Sequence, residues 1–108
     1  MVQVIWTPLA QEDVEDIFNY YNSISNRVAQ AVAEEIFDAA NHLETMPEMG
    51  TIEPTFAHLH RNYRYLVVLR RYKLIYLYEN QVSSILMVWD CRQNPELLKH
   101  NDRFSSIP

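Results

Sequence analysis

Glycine occurs once in this 108-residue sequence, at Gly50, and cysteine once, at Cys91. A single glycine cannot build a Walker loop or a dinucleotide fingerprint, so nucleotide-dependent enzymes of those kinds are excluded. A single cysteine cannot close an internal disulfide, which fits a reducing cytosol. No apolar run approaches the roughly 20 residues that a membrane-spanning helix needs. The opening MVQVIWTPLAQED has no basic stretch followed by an apolar one, so no secretory signal is expected. A cytoplasmic protein with no membrane partner is the expectation.

Basic residues are also nearly missing from one half of the chain. Residues 1–54 hold ten acids and one base, Arg27, for a local net charge of −9. Residues 55–108 hold eight bases and four acids, a net of +4. The overall −5 therefore conceals a cationic half. Five bases (Arg61, Arg64, Arg70, Arg71 and Lys73) fall within thirteen residues that otherwise read as β-strand. A cationic sheet surface suits an anionic partner such as RNA, DNA or an acidic peptide. The 48% apolar and 21% charged content is that of an ordinary globule, and the length suits one domain over 1–108.

The periodicities divide along the same line as the charge. Val2 to Trp6 is short and β-branched or aromatic. Thr7 then offers an N-cap and Pro8 a first helical residue whose missing N–H costs nothing. Val14, Ile17, Phe18 and Tyr21 recur on one helical face. Asn22 to Asn26 interrupts, with Ser25 or Asn26 placed to cap a second helix. That helix carries Val28, Val32, Ile36, Phe37, Ala40 and Leu43 on one stripe and runs to about Met46. Pro47 and Gly50 end it. Beyond them Tyr65 to Leu69, Tyr72 to Tyr78 and Val82 to Trp89 read as three strands of an antiparallel meander. Asn94-Pro95-Glu96 opens a short helix through about His100, and residues 101–108 form a loose tail. The expected class is α+β, in the order β-α-α-β-β-β-α, a small antiparallel sheet with the helical hairpin on one face.

Register decides where the charges meet. If Asn80-Gln81 is a two-residue loop, Glu79 pairs with Val82, Lys73 lies opposite Val88, and Arg71 lies opposite Asp90. Lys73, Asp90 and Arg92 then share a face, since side chains alternate along a strand. A tight turn at Arg70-Arg71 would add Arg64. Such a cluster suits metal-independent cleavage of a phosphodiester. A base takes the proton of an RNA 2′-OH as that oxygen attacks phosphorus, guanidinium groups neutralise the charge that builds on the phosphoryl oxygens, and an acid protonates the leaving 5′ oxygen. Arg64 and Arg92 match phosphate geometry, and Lys73 is a second electrostatic contact, or an acid or base if cationic neighbours depress its pKa. Glu53, ahead of the cationic stretch, is the candidate base. Arg61, Arg70, Arg71 and His60 are candidate contacts to nucleic acid or a partner. A solvated basic surface would carry the same residues, with Arg71–Asp90 as a weak cross-strand ion pair.

YRYLVVLRRYKLIYLYENQVSSILMVWDCRQNPELL, residues 63–98, resembles the RelE/ParE superfamily of bacterial type II toxin–antitoxin toxins. Tyr72-Lys73-Leu74-Ile75-Tyr76 is similar to the family's Tyr-Arg-x-x-Tyr strand, with lysine for the phosphate-contacting arginine. Arg92 matches the arginine after the last strand, and Arg64 the basic residue opening the second. Ile52-Glu53-Pro54 resembles a Pro-Glu-Pro segment that supplies a glutamate base in one mRNA-cleaving subgroup. Leu98 stands where nuclease members place a terminal tyrosine, and no tyrosine follows Tyr78.

The resemblance implies a toxin held in check by a cognate antitoxin. It acts by ribosome-dependent mRNA cleavage or, alternatively, by ParE-like contact with DNA gyrase, or survives as a degenerate toxin without catalysis. No cofactor and no small-molecule substrate are implied. His58 and His60 could face one side of an extended segment, but no third ligand accompanies them, so no metal site is expected. Cys91 lacks the arginine six positions on that a thiol phosphatase loop requires, since Leu97 is there.

Overall fold

The computed structural model describes residues 2–93. Strand β1 (Gln3–Trp6) leads into helix α1 (Pro8–Asn22), and α2 (Asn26–Asn41) returns alongside it. A 3₁₀ turn, His42–Glu44, precedes the short strand β2 (Thr51–Ile52), and a second, Pro54–Leu59, precedes β3 (Tyr63–Val68). Strands β4 (Tyr72–Glu79) and β5 (Val82–Asp90) complete the described chain. The helix expected from Asn94 and the tail 101–108 lie outside the described residues.

The caps form where the sequence places them. The Thr7 side chain accepts the Ala10 N–H and donates its own proton to the Ile85 carbonyl at 2.8 Å, tying the start of α1 to β5. Ser25 caps α2 by accepting the Val28 N–H at 3.3 Å. Val32, Ile36, Ala40 and Leu43 are buried as the stripe predicts, while Val28 and Phe37 remain exposed on its flank.

All five strands form one sheet in the order β1-β5-β4-β3-β2. It is mixed rather than wholly antiparallel, because β1 runs parallel to β5, while the helical hairpin carries the chain from β1 to β2 at the opposite edge. β2 adds an edge strand that the sequence does not announce. The main core joins both helices to one sheet face through Val14, Ile36, Leu43, Leu74, Tyr76 and Ile85. A smaller cluster of Phe56, Tyr63, Ile75, Leu77, Leu86 and Met87 lies on the opposite face. Short of glycine, the chain turns its hairpins on other residues. Leu69 and Arg70 (φ 56° and 55°) and Asn80 and Gln81 (φ 54° and 64°) all adopt left-handed backbone.

Candidate functional site

The register at the second hairpin begins as the sequence implies, with Glu79 opposite Val82. Between Ile75 and Tyr76 it shifts, since Met87 pairs with Ile75 while Ile85 pairs with Tyr76, leaving Leu86 as a bulge. Lys73 therefore faces Trp89 rather than Val88, and Asp90 faces Tyr72 rather than Arg71. The first hairpin turns at Leu69-Arg70, not Arg70-Arg71, with the Arg71 N–H bonded to the Val68 carbonyl at 3.1 Å. Arg64 consequently lies opposite Tyr76. A slip of one residue exchanges the faces of a strand, and here it happens in both hairpins. The expected cluster of Lys73, Asp90, Arg92 and Arg64 does not form.

Lys73 stands instead on the face away from the helices. Its Nζ donates to both oxygens of Glu53, at 3.1 and 3.3 Å, and lies 4.2 Å from the centre of the Tyr65 ring. Glu53 is fully buried. A carboxylate enclosed in this way and already holding an ammonium is badly placed to take a proton from a large substrate. Cys91 belongs to the same neighbourhood. Partial desolvation raises its thiol above the ordinary range, and the nearby Lys73 only partly offsets this, so no activated thiolate results.

Arg64 acts as a latch. Its Nη1 donates to the carbonyls of Gly50 (2.8 Å) and Glu48 (3.1 Å), its Nη2 to the Glu48 carboxylate, and its Nε to Asn62. The buried Tyr76 hydroxyl completes the latch, donating to the Pro47 carbonyl at 2.7 Å and accepting the Gly50 N–H at 3.1 Å. Burial raises the Tyr76 phenol, so it stays a neutral donor. Here the one glycine is required. A Cβ at Gly50 would stand 2.6 Å from the Tyr76 oxygen and 2.8 Å from the Tyr65 carbonyl.

Of the other basic residues, Arg61, Arg71 and Arg92 are engaged by carboxylates. Arg61 forms a two-pronged pair with Glu79 at 2.6 and 3.0 Å, and that bond draws the Glu79 carboxyl below its usual range. Arg70 is exposed in the turn, and His60 is exposed with left-handed backbone after the second 3₁₀ segment. Arg71 and Arg92 meet at Asp90, on the helix-covered face. Both reach its Oδ2 atom, at 3.6 and 2.9 Å, and the Arg92 hydrogen bond is the main cause of a lowered Asp90 pKa.

Arg71 is also surrounded by aromatic rings, with Tyr72, Tyr21 and Tyr20 centred 5.3, 5.6 and 5.8 Å from its guanidinium carbon. Its Nη1 donates to the Tyr21 oxygen at 2.6 Å. Burial, then the Tyr21 contact, raises the Tyr72 phenol well above its ordinary value. The sequence reading missed Asp13, Tyr21 and Tyr76 as organising residues. Only the helical stripe through Tyr21 and the strand spacing of Tyr72 and Tyr76 hinted at two of them. Among the described residues, no three His, Cys, Asp or Glu side chains are grouped to hold a metal ion, and no helix is long and apolar enough to cross a membrane.

Comparison with solved structures finds a similar chain in the chromosomal ParDE toxin–antitoxin system from P. aeruginosa. The match has a TM-score of 0.67 at 18% identity and covers 83% of this chain and 96% of that one. At that identity the likeness is one of fold. No curated protein matches the sequence. The family model for the ParE toxin of the type II toxin–antitoxin system parDE matches residues 4–95, which include both helices, β2 to β5 and all of β1 but Gln3. The chain belongs to the ParE toxin family of type II toxin–antitoxin systems.

Proposed function

We propose that this protein is a growth-arresting toxin that acts in the cytoplasm on DNA gyrase by protein–protein contact, and that a cognate antitoxin restrains it. One observation carries the choice of gyrase over mRNA. The groups required for phosphodiester cleavage are divided between two sheet faces and are engaged within the protein. Lys73 is bound to the buried Glu53, Arg64 to the Pro47–Gly50 loop, and Arg92 to Asp90. Along the sheet, Arg64 and Asp90 are also separated, because their partners on β4, Tyr76 and Tyr72, are four residues apart. At strand rise that is roughly 13 Å, too far for one phosphate to bridge. A toxin that works by contact needs no converged acid, base and cation. Membership of the ParE family favours the same target.

Ribosome-dependent mRNA cleavage is the second reading. It keeps Lys73, Arg92, Arg64 and Glu53 as its working set, and the three cations among them favour it. One protein stock added to a gyrase supercoiling assay and to an in-vitro translation reaction with mapped mRNA ends separates the two. Inhibited supercoiling with intact message is the expected result. Ribosome-dependent cuts that vanish in Lys73→Ala and Arg92→Ala, with normal supercoiling, would overturn the proposal. Co-expression with the small acidic product of a neighbouring reading frame should relieve toxicity.

A further inference from the structure

The two edges of the sheet end differently. At the β5 edge β1 covers Val82 to Ile85, and beyond it the Val88 N–H donates to Asp13 Oδ2 at 3.0 Å, beside a cleft of about 410 Å³ next to Asp90. At the other edge β2 covers only Arg64 and Tyr65. Continued in the same register, Met49 would come opposite Val67. It does not, because the Met49 N–H turns back to the Met46 carbonyl at 3.2 Å and closes a tight turn around Pro47 and Glu48.

The backbone of this turn is held from inside the protein. The fully buried Tyr76 bonds the Pro47 carbonyl and the Gly50 N–H, and Arg64 holds the carbonyls of Glu48 and Gly50. The apolar side chains of the same turn gain no cover among the described residues. Met46 is 57% and Met49 45% exposed, and Ile52 and Val67 beside them are exposed as well. A turn of this kind keeps the Cα atoms of its first and last residues within about 7 Å, so the two methionines form one apolar knob. A fixed backbone loses little freedom on binding, and methionine adapts its shape to the surface it meets. Charge narrows the partner. Arg64, the cation of this turn, directs its donors to the turn and to Asn62, while the Glu48 side chain is 63% exposed. A nucleic-acid backbone or an anionic lipid surface would be repelled there. An apolar hollow on a protein, with a donor at its rim, fits both features.

Taking gyrase as the target, as above, we propose that the latched segment Met46–Ile52 is the surface by which the toxin engages it. Met46 and Met49 enter an apolar pocket on gyrase, and the Glu48 carboxylate accepts a hydrogen bond from a donor at the rim of that pocket. Tyr76 and Arg64 act as positioning residues that hold the turn in shape before contact.

The test titrates gyrase supercoiling with the full chain and with a Met46→Gln, Met49→Gln double variant. Both side chains are exposed, so the variant keeps its fold, and an unchanged urea melt verifies this. The concentration for half-inhibition should rise about tenfold, as expected when two methionines lose an apolar pocket. A matched Ile24→Gln, Val28→Gln variant, altered at exposed residues around the bend between the helices, should inhibit as the wild type does. Tyr76→Phe keeps every exposed side chain and loosens only the turn, so it should raise that concentration about threefold. A photoreactive p-benzoylphenylalanine in place of Met49 should form an adduct with gyrase, and one in place of Ile24 should not. If the wild-type chain leaves supercoiling untouched, the target and this contact surface fall together. If the wild type inhibits and the methionine variant inhibits equally, the surface is overturned while gyrase stands. Lost inhibition that accompanies a change in the toxin's own sedimenting mass would assign the turn to a second copy of this chain. Ribosome-dependent mRNA cuts that vanish in the methionine variant would assign it to the ribosome. Either result overturns the proposal.

Discussion

The two faces of the sheet are held together by different means. Under the helices, stability is spread over a continuous apolar layer, with tyrosine hydroxyls and arginines fastening its rim. On the opposite face a smaller cluster adjoins one buried ion pair, while Val67 and Leu69 stay exposed nearby. A distributed core loses stability in proportion to the volume removed. A buried ion pair fails abruptly, because loss of one partner strands the other's charge. Of the cationic residues that suggested a single functional surface, Arg61, Arg64, Arg71 and Lys73 are each bonded within the protein, on one face or the other.

The comparison is broken most severely at Lys73. Lys73→Met leaves Glu53 buried without its counter-ion and should lower unfolding free energy by about 3–5 kcal/mol in urea melts at neutral pH. Adding Glu53→Gln should recover most of the loss, since only a neutral amide is then enclosed. No recovery would show that Lys73 contributes mainly by packing. Next in size is a matched pair of truncations. Ile36→Ala, at a fully buried site, should cost about 2–5 kcal/mol, whereas Val67→Ala on the open face should stay within about 0.5 kcal/mol. Equal losses would mean the two faces are not distinct.

Tyr76→Phe removes both hydrogen bonds to the Pro47–Gly50 loop and should cost about 1–3 kcal/mol. Its signature is faster amide exchange at Gly50 with protection of α1 unchanged. A smaller change of opposite sign is expected at the turn. Arg70→Gly relieves left-handed backbone and should raise thermal stability by about 0.5–1 kcal/mol, and an unchanged or lower Tm would refute this account of the turn.

The smallest effect is in pH. Glu79 and Asp90 both have lowered pKa values in the folded chain, from 4.5 and 3.8 respectively. Their pairs therefore stabilise fully above those unfolded values and fade as pH falls through the lower, folded ones. Arg61→Ala should flatten the Glu79 part of that acid limb, read from denaturation midpoints between neutrality and strong acid. Solvent screening keeps the change slight, since both partners are about one-third exposed.

Much of this architecture was legible because it depends on local chemistry. Thr7-Pro8 and Ser25 mark helix starts through side-chain caps and fixed φ, and these act within three residues. The two-residue turn at Asn80-Gln81, taken only as a condition from the sequence, is the one that forms, with both residues at positive φ. The candidate cluster was not legible. The bulge at Leu86 sits in the run Ile85-Leu86-Met87-Val88, where every residue is apolar and alternation gives no signal of a slip. The Leu69-Arg70 turn was equally hidden, since neither residue favours positive φ and only the pairing of the flanking strands holds them there.

The sequence by itself determined the fold class, the helical hairpin, the separation of acidic and basic halves, and the family to which the chain belongs. A single glycine and a single cysteine sufficed to exclude several chemistries. The tertiary structure decided which charges meet. A strand's faces depend on registers set many residues away, and one bulge and one displaced turn sent Lys73 to one face and Arg64, Arg71 and Arg92 to the other. It also decided that β1 stops short of β5, which opens the cleft beside Asp90. The local Thr7-Pro8 signal ends β1, but only the pairing of the strands shows how much of β5 it leaves uncovered, and no local pattern encodes the bulge or the displaced turn.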